Sequence, residues 1–442
     1  MDARSYFQGK KITVMGLGLL GRGLGDVRYL ATLGAELIVT DLKTSEQLAT
    51  SIDSLREFSN ITFVLGEHRL EDFQGRDMLL KAAGVPVDSI YIAEAHKHKI
   101  LVRMSADLFA ELAQIPVVGI TGTRGKSTTT HMIHEILVAA GKHVLLGGNV
   151  RGVSTLALLS EATTESIAVL ELDSWQLQGF GEAKMSPHIA VFTTFFPDHL
   201  NYYDGNLDKY LADKANIFLF QKPGDTLFLG SQCAGIIQQK YSGLIQGWTS
   251  IVDGSELPDA WHLKVPGEHN RYAAALARRV AQSFDVSDTI IKSALESFGA
   301  VPGRLEHIAT VDGVDYYNDT NATTPDATLA GIVALSQKYS GNVLLIMGGA
   351  DKGIDMSGLL AALPNHTKRL ELLAGTGTDR IRGELPEAEV FDNLVAAVGN
   401  ARRNAQPGDA ILLSPAFASF GMFTNEYDRG DQFNAIVKGF EV

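Results

Sequence analysis

A single cysteine, Cys233, stands among 442 residues, so no intramolecular disulfide can form and a reducing compartment is expected. The opening residues lack the basic head and unbroken apolar run of a secretory signal, which again points to the cytoplasm. Nowhere do apolar residues continue for the roughly 20 positions of a membrane-spanning helix before Gly, Asp or Lys interrupts them, so no membrane insertion is expected. Positive charge is in deficit: 38 Lys and Arg against 51 Asp and Glu leave a net charge of −13, which argues against binding to nucleic acid or anionic lipid. An anionic ligand must therefore be met locally, by helix N-termini, glycine loops and individual Lys or Arg side chains. Low-complexity stretches and short repeats are missing as well, which argues against a repeat protein or a disordered scaffold.

What is present is apolar material for more than one core. Hydrophobic residues make up 45% of a chain longer than one core usually serves, which predicts two or three domains. The first block, 1–112, has a β-type run at 11–15, then Gly16-Leu17-Gly18-Leu19-Leu20-Gly21, a helical stretch over 24–33 and a strand over 36–40 ending at Asp41. This is the order of a dinucleotide-binding unit, in which glycines let the backbone approach phosphate and the acid reaches a ribose hydroxyl. Taken alone the pattern is compatible with NAD, FAD, another nucleotide or a tight turn.

The second block, 113–300, starts with a buried strand over 116–121. It leads into Gly122-Thr123-Arg124-Gly125-Lys126-Ser127-Thr128 and a helix over 128–140, with Met132, Ile133, Ile136 and Leu137 on one face. Strand, glycine loop with Lys-Ser, and helix form the setting of a phosphate loop, hence of ATP. Backbone N–H groups cradle the phosphates, Lys126 supplies charge and Ser127 can ligate Mg2+. The spacing departs from GxxxxGK[ST], since two residues separate Gly122 from Gly125 and Ile120 occupies the first glycine's place. Strands over 166–172 and 189–194 are nearly continuous in apolar residues, as parallel strands covered on both faces are. Glu171 closes the first and Asp198-His199 follows the second, so a carboxylate and an imidazole are expected beside the loop as candidate Mg2+ ligands. A structural His199, bonded to a backbone carbonyl, is the competing reading.

The third block, 301–442, follows Val301-Pro302-Gly303-Arg304. Its strands over 314–317, 343–347, 370–373 and 410–413 alternate with helical segments in a doubly wound pattern. Gly, Ser, Thr and charged residues gather at the strand ends, which predicts a second ligand surface. The fold class is therefore α/β with three domains: a Rossmann-like N-terminal domain, a central P-loop ATPase domain with a mostly parallel sheet, and a Rossmann-like C-terminal domain.

From about Lys11 to Phe433 these motifs, in this order, resemble the Mur ligases of peptidoglycan synthesis. The resemblance implies an ATP-dependent amide ligase with a domain for the UDP part of its substrate, an ATPase domain, and a third domain that closes over ATP. It implies that the carboxylate of UDP-N-acetylmuramoyl-L-alanine attacks the γ-phosphate, giving an acyl phosphate, and that the amine of D-glutamate then displaces phosphate. Two Mg2+ ions and a monomeric state belong to the same expectation. By position, Lys126, His199 and Lys214 are implied as catalytic, and Gly122, Thr123, Arg124, Gly125, Lys126, Ser127, Thr128, Asn270, Arg304 and Asp319 as ATP contacts. Gly18, Leu19, Leu20, Asp41, Lys43 and Asn149 are implied for the UDP-substrate, and Thr323, Lys352 and Ser419 for the amino acid. Ser127, Glu171, His199 and Lys214 are implied at the metals, Lys214 as a carbamate, since an ammonium would be repelled by Mg2+.

Four positions depart from the family's pattern. Asn321 stands where a lysine is common, Ala82 where a serine contacts substrate, Ala273 where a second asparagine is expected, and Glu426 where an aromatic covers the amino acid. These changes bear on the choice of amino acid more than on the ATP chemistry. Related folylpolyglutamate and poly-γ-glutamate synthetases share the loop, but the unit at Gly16–Gly21 speaks against both. A dehydrogenase built on that unit would leave Lys126, Glu171 and His199 without a role.

Overall fold

The computed structural model describes residues 3–440 and builds three sheets. The first contains β1 (Lys11–Met15), β2 (Glu36–Asp41), β3 (Ile61–Leu65), β4 (Met78–Lys81) and β5 (Leu101–Arg103). All are parallel, in the order β3-β2-β1-β4-β5. Val14, Leu37, Val39 and Leu80 meet Val27 and Leu30 of the helix Arg22–Thr32 in one core. The direction of winding reverses between β1 and β4, and the Gly16–Gly21 turn leaves β1 at that reversal, where open sheets of this kind bind ligands.

The second sheet contains β6 (Val117–Thr121), β7 (His143–Gly148), β8 (Ser166–Glu171), β9 (Ile189–Phe192), β10 (Thr226–Gly230) and β11 (Trp248–Val252). Its order is β11-β10-β9-β6-β8-β7, again all parallel. Every residue of β6 and β8 is buried, which is why both read as unbroken apolar runs rather than alternating ones. β6 is flanked by β8 and β9, so the segments leaving these three strands open side by side.

The third sheet contains β12 (Glu306–Val311), β13 (Val314–Asn318), β14 (Val343–Gly348), β15 (Arg369–Leu373), β16 (Glu389–Phe391) and β17 (Ala410–Leu413). The order is β12-β13-β17-β14-β15-β16; β12 runs antiparallel to β13 and the rest are parallel. Alternate side chains of β14 and β17 enter separate cores on the two faces, Leu345 and Leu412 on one, Leu344 and Leu413 on the other.

The chain divides into two compact units: Met1–Asp253 with Leu276–Ile291, and Gly254–Ala275 with Lys292–Val442. The first unit holds the first two sheets and the second holds the third. Among the described residues no helix is long and apolar enough to cross a membrane.

Candidate functional site

β6 delivers the chain to Gly122, whose φ of 142° and surroundings admit no side chain: a Cβ there would lie 2.0 Å from Thr193 Oγ1. The loop is tied down by residues just past β9. Thr123 N donates to Thr194 O at 2.7 Å, Arg124 N to Thr194 Oγ1 at 2.9 Å, and Thr193 Oγ1 to Arg124 O at 2.6 Å. This accounts for the shortened glycine motif. Ile120 lies inside β6, paired with Glu171 and Val191, and the neighbouring strand end shapes the loop.

Gly125, at φ 81°, turns the chain into the helix Lys126–Ala139, so Lys126, Ser127 and Thr128 form its first turn. The N–H groups of a first turn have no partner within their helix and carry partial positive charge, which suits phosphate. Lys126 Nζ donates to Gly122 O at 3.0 Å and Thr123 O at 3.2 Å. Lys214, from the helix Leu207–Ala215, donates to the same Gly122 O at 2.9 Å and to Thr121 Oγ1 at 3.4 Å. Two amines thus share one carbonyl oxygen. Lys214 is only 1% exposed, and burial first, then the Lys126 charge, push its pKa well below the usual lysine value. An amine so placed tends to be neutral and nucleophilic.

His199 lies beside this pair in a left-handed backbone conformation, φ 53°. Its ring packs on Trp175 at 4.7 Å and Tyr210 at 5.9 Å between centroids. Burial lowers its pKa, Asp198 works against that, and the Lys214 and Lys126 charges lower it further, so the imidazole is held neutral. Burial works to raise the Asp198 pKa, but in the acid range where it titrates the protonated His199 and the Arg124 charge outweigh burial and hold the group at about 2. Arg124 Nη1 donates to Asp198 Oδ2 at 2.9 Å. Arg124 therefore leans on the segment after β9 in this structure.

Glu171, 3% exposed, closes β8. Its main-chain oxygen accepts from Asn149 N at 2.7 Å, and its Oε1 accepts from Asn149 Nδ2 at 3.5 Å. Gly148 makes the approach possible, since a Cβ there would meet Glu171 O at 2.0 Å. Asn149 Oδ1 accepts from Arg22 Nη1 at 2.6 Å, linking the helix after the Gly16–Gly21 turn to the second sheet. Among the described residues no cation lies within ion-pair distance of the Glu171 carboxylate, so a divalent cation fits beside it. No group of three His, Cys, Asp or Glu among the described residues could hold a metal alone.

At the first sheet, Asp41 turns both carboxylate oxygens to backbone, accepting from Gly18 N and Lys43 N at 2.9 Å each. Asp41 therefore shapes the glycine turn, with Lys43 Nζ 3.9 Å away. Leu19, 51% exposed, stands at the tip of the turn beside Leu20. Ala82 donates its N–H to Met15 O, next to that turn.

In the second unit, Lys352 Nζ donates to Thr323 Oγ1 at 2.9 Å. Ala416 N bonds Ala322 O at 2.9 Å, and Ala418 pairs with Ala350, so the segments carrying Thr323, Lys352 and Ser419 lie side by side past β13, β14 and β17. Asp319 accepts from Ser414 Oγ at 2.8 Å and Leu305 N at 3.1 Å, and burial pushes its pKa up to about 7. Asn270 Nδ2 donates to Pro266 O at 2.6 Å. Arg304 is half-buried beside Leu305, Asn321 Nδ2 donates to Pro302 O at 3.2 Å, and Ala273 is buried in its helix. Glu426 opens the helix Glu426–Lys438, and its carbonyl accepts from Thr320 Oγ1 at 2.8 Å.

Sequence reasoning missed Thr193, Thr194, Trp175, Arg22 and Arg429. Thr193-Thr194 at a strand end carried a signal; Arg429, a fully buried guanidinium, carried none, because nothing local marks a buried arginine.

Residues 120–243 match the Mur ligase middle domain and residues 303–417 the Mur ligase glutamate ligase domain. A UDP-N-acetylmuramoylalanine-D-glutamate ligase of Roseiflexus sp. (strain RS-1) is 36% identical, covering 98% of this chain and 99% of that protein. One of Borreliella afzelii (strain PKo) is 34% identical over 96% of each. The solved structure of a MurF ligase from Thermotoga maritima in complex with ADP aligns with a TM-score of 0.63 at 16% identity, covering 99% of this chain and 96% of that one.

Proposed function

The chain belongs to the Mur ligases, among those named UDP-N-acetylmuramoylalanine-D-glutamate ligases, and on that premise we propose how its residues divide the work. It is an ATP-dependent ligase of peptidoglycan precursor synthesis that adds D-glutamate to UDP-N-acetylmuramoyl-L-alanine. The observation that carries the assignment of the reacting centre is the meeting of Lys126 and Lys214 on Gly122 O.

The first turn of the helix Lys126–Ala139 takes the phosphates through its backbone N–H groups, and Lys126 exchanges its loop carbonyls for phosphate oxygens. Gly122 to Gly125 supply the backbone cradle, with Ser127 and Thr128 at its rim. Mg2+, as two ions that would draw ligands from Ser127, Glu171, His199 and a carbamate on Lys214, would neutralise charge on the transferring phosphoryl group. A neutral buried amine is the form that reacts with CO2, which supports the carbamate on Lys214. His199, held neutral, either ligates that metal or takes a proton from the incoming amine. Gly18, Leu19, Leu20, Asp41, Lys43 and Asn149 are assigned to the UDP-substrate, and Thr323, Lys352 and Ser419 to the amino acid. The ammonium of Lys352 and the hydroxyl beside it suit a carboxylate. Asn270, Arg304 and Asp319 remain as further nucleotide contacts on the strength of the resemblance. The division into 1–112, 113–300 and 301–442 assigns one sheet to each task, and the enzyme is proposed to act as a cytoplasmic monomer.

Incubation with ATP, Mg2+, UDP-N-acetylmuramoyl-L-alanine and D-glutamate should give ADP and a nucleotide product heavier by one glutamyl residue in mass spectrometry. ADP without that product would overturn the substrate assignment while leaving the ATPase centre standing.

A further inference from the structure

Arg429 is among the largest fully buried side chains of the described residues, at 0% exposure. A guanidinium taken out of water normally demands a carboxylate. Among the described residues none lies within ion-pair distance of it, although Glu426, one turn earlier on the same helix, acts on it electrostatically. Its donors go to main chain and one hydroxyl instead: Nη2 to Thr320 O at 2.9 Å, Nε to Thr320 Oγ1 at 3.1 Å, and Nη1 to Phe417 O at 3.4 Å. These acceptors are not scattered. Thr320 lies three residues before Thr323, and Phe417 two residues before Ser419.

The two segments are also linked through Thr328 Oγ1, which donates to Ala322 O and Ser414 O, at 3.4 and 3.3 Å. Ala416 N bonds Ala322 O, and Ala416 itself is held at φ 61°, a left-handed conformation that an alanine adopts only under constraint. A planar, five-donor fork can span two carbonyls with defined geometry, which a lysine cannot. Burial lowers the Arg429 pKa to about 10, so the group stays charged at neutral pH. The charge lies against the segments that lead to Thr323 and Ser419, the residues assigned to a dicarboxylate.

We propose that Arg429 is the positioning residue of the amino-acid pocket: it clamps the Thr320–Thr323 and Phe417–Ser419 segments and sets the affinity for glutamate. Glu426, one turn earlier on the same helix, acts on this cation electrostatically. The inference rests on the amino-acid assignment given above for Thr323, Lys352 and Ser419.

The test is steady-state kinetics on Arg429→Lys, Arg429→Met and Thr320→Val, with KM measured separately for D-glutamate, ATP and UDP-N-acetylmuramoyl-L-alanine. The unsubstituted enzyme is the control for the assignment itself: if it shows no D-glutamate-dependent turnover, the functional reading fails before the clamp is tested. The clamp predicts that Arg429→Met raises the glutamate KM by about ten-fold or more, a loss of roughly 1.4 kcal/mol in binding, with the other two KM values little changed. Arg429→Lys keeps the charge without the fork and should recover only part of the affinity. Thr320→Val keeps shape but removes the hydroxyl that accepts from Arg429 Nε and donates to Glu426 O, so it should move the same KM in the same direction even if Arg429→Met fails to fold. Equal rises in all three KM values with a lowered Tm, or an unchanged glutamate KM in Arg429→Lys and Thr320→Val, would overturn the proposal.

Discussion

The amine of Lys126 is tied to the carbonyls of its own loop, and Asn149 and the Gly16–Gly21 turn lie on other elements. Lys126→Ala should therefore lower phosphate release by at least about a hundred-fold, the cost of removing a preorganised donor to developing charge. Binding of the UDP-substrate, followed by calorimetry, should persist; loss of both in a folded variant would contradict the separation. Asp26 offers a test by pH. It is buried, accepts from Ser154 Oγ at 2.6 Å and Ser105 Oγ at 2.7 Å, and burial raises its pKa to about 6 despite both bonds. A raised folded-state pKa means that the folded protein binds the proton more tightly than the unfolded chain. The protonated form's advantage is complete below the unfolded pKa and is lost as pH rises through about 6. The Tm of Asp26→Asn, relative to the unsubstituted protein, should therefore become more favourable between pH 5 and 7.5, and a flat difference would refute it. Lys126 and Ser127 were legible in the sequence because a loop and the first turn of the following helix are contiguous. Lys214 and Arg429 were not, except by resemblance for the former, because burial of a cation is a property of distant packing.

At the scale of elements, the loop after β6 depends on Gly122. Gly122→Ala would place a methyl 2.0 Å from Thr193 Oγ1 at a φ of 142°, so the loop must move. Strain of this kind costs on the order of 1–3 kcal/mol, and apo Tm should fall by a few degrees while stabilisation by ATP disappears. Retained thermal stabilisation by ATP would show that the loop tolerates the shift. The strands that sequence reading recovered, such as β1, β8, β14 and β17, are buried nearly throughout. Of those it did not name, β16 is largely exposed, β5 has three residues and β3 shows one buried position, whereas β4 and β10 are buried nearly throughout and no motif marks their ends. β12 escaped for a different reason, being an antiparallel edge strand in which Glu306, His307 and Thr310 break up the apolar residues.

At the scale of the whole chain, the first two sheets are joined within one unit. Leu108 and Leu156 enter the core of the first sheet, and Arg22 holds Asn149 at the end of β7. Arg22→Ala frees Asn149 and should raise KM for the UDP-substrate several-fold, with KM for ATP nearly unchanged; a change in ATP KM alone would contradict the link. Periodicity could not reveal this joining, since helix and strand patterns report which face is apolar and not which neighbour covers it. The chemistry was more legible than the packing, because phosphate loops and strand-end carboxylates sit in short contiguous stretches. The measurement that tests the central claim most directly is phosphate release with ATP, Mg2+ and UDP-N-acetylmuramoyl-L-alanine, compared across D-glutamate, L-glutamate and no amino acid. Release that depends on D-glutamate is the predicted result; preference for L-glutamate, or release indifferent to the amino acid, would contradict it.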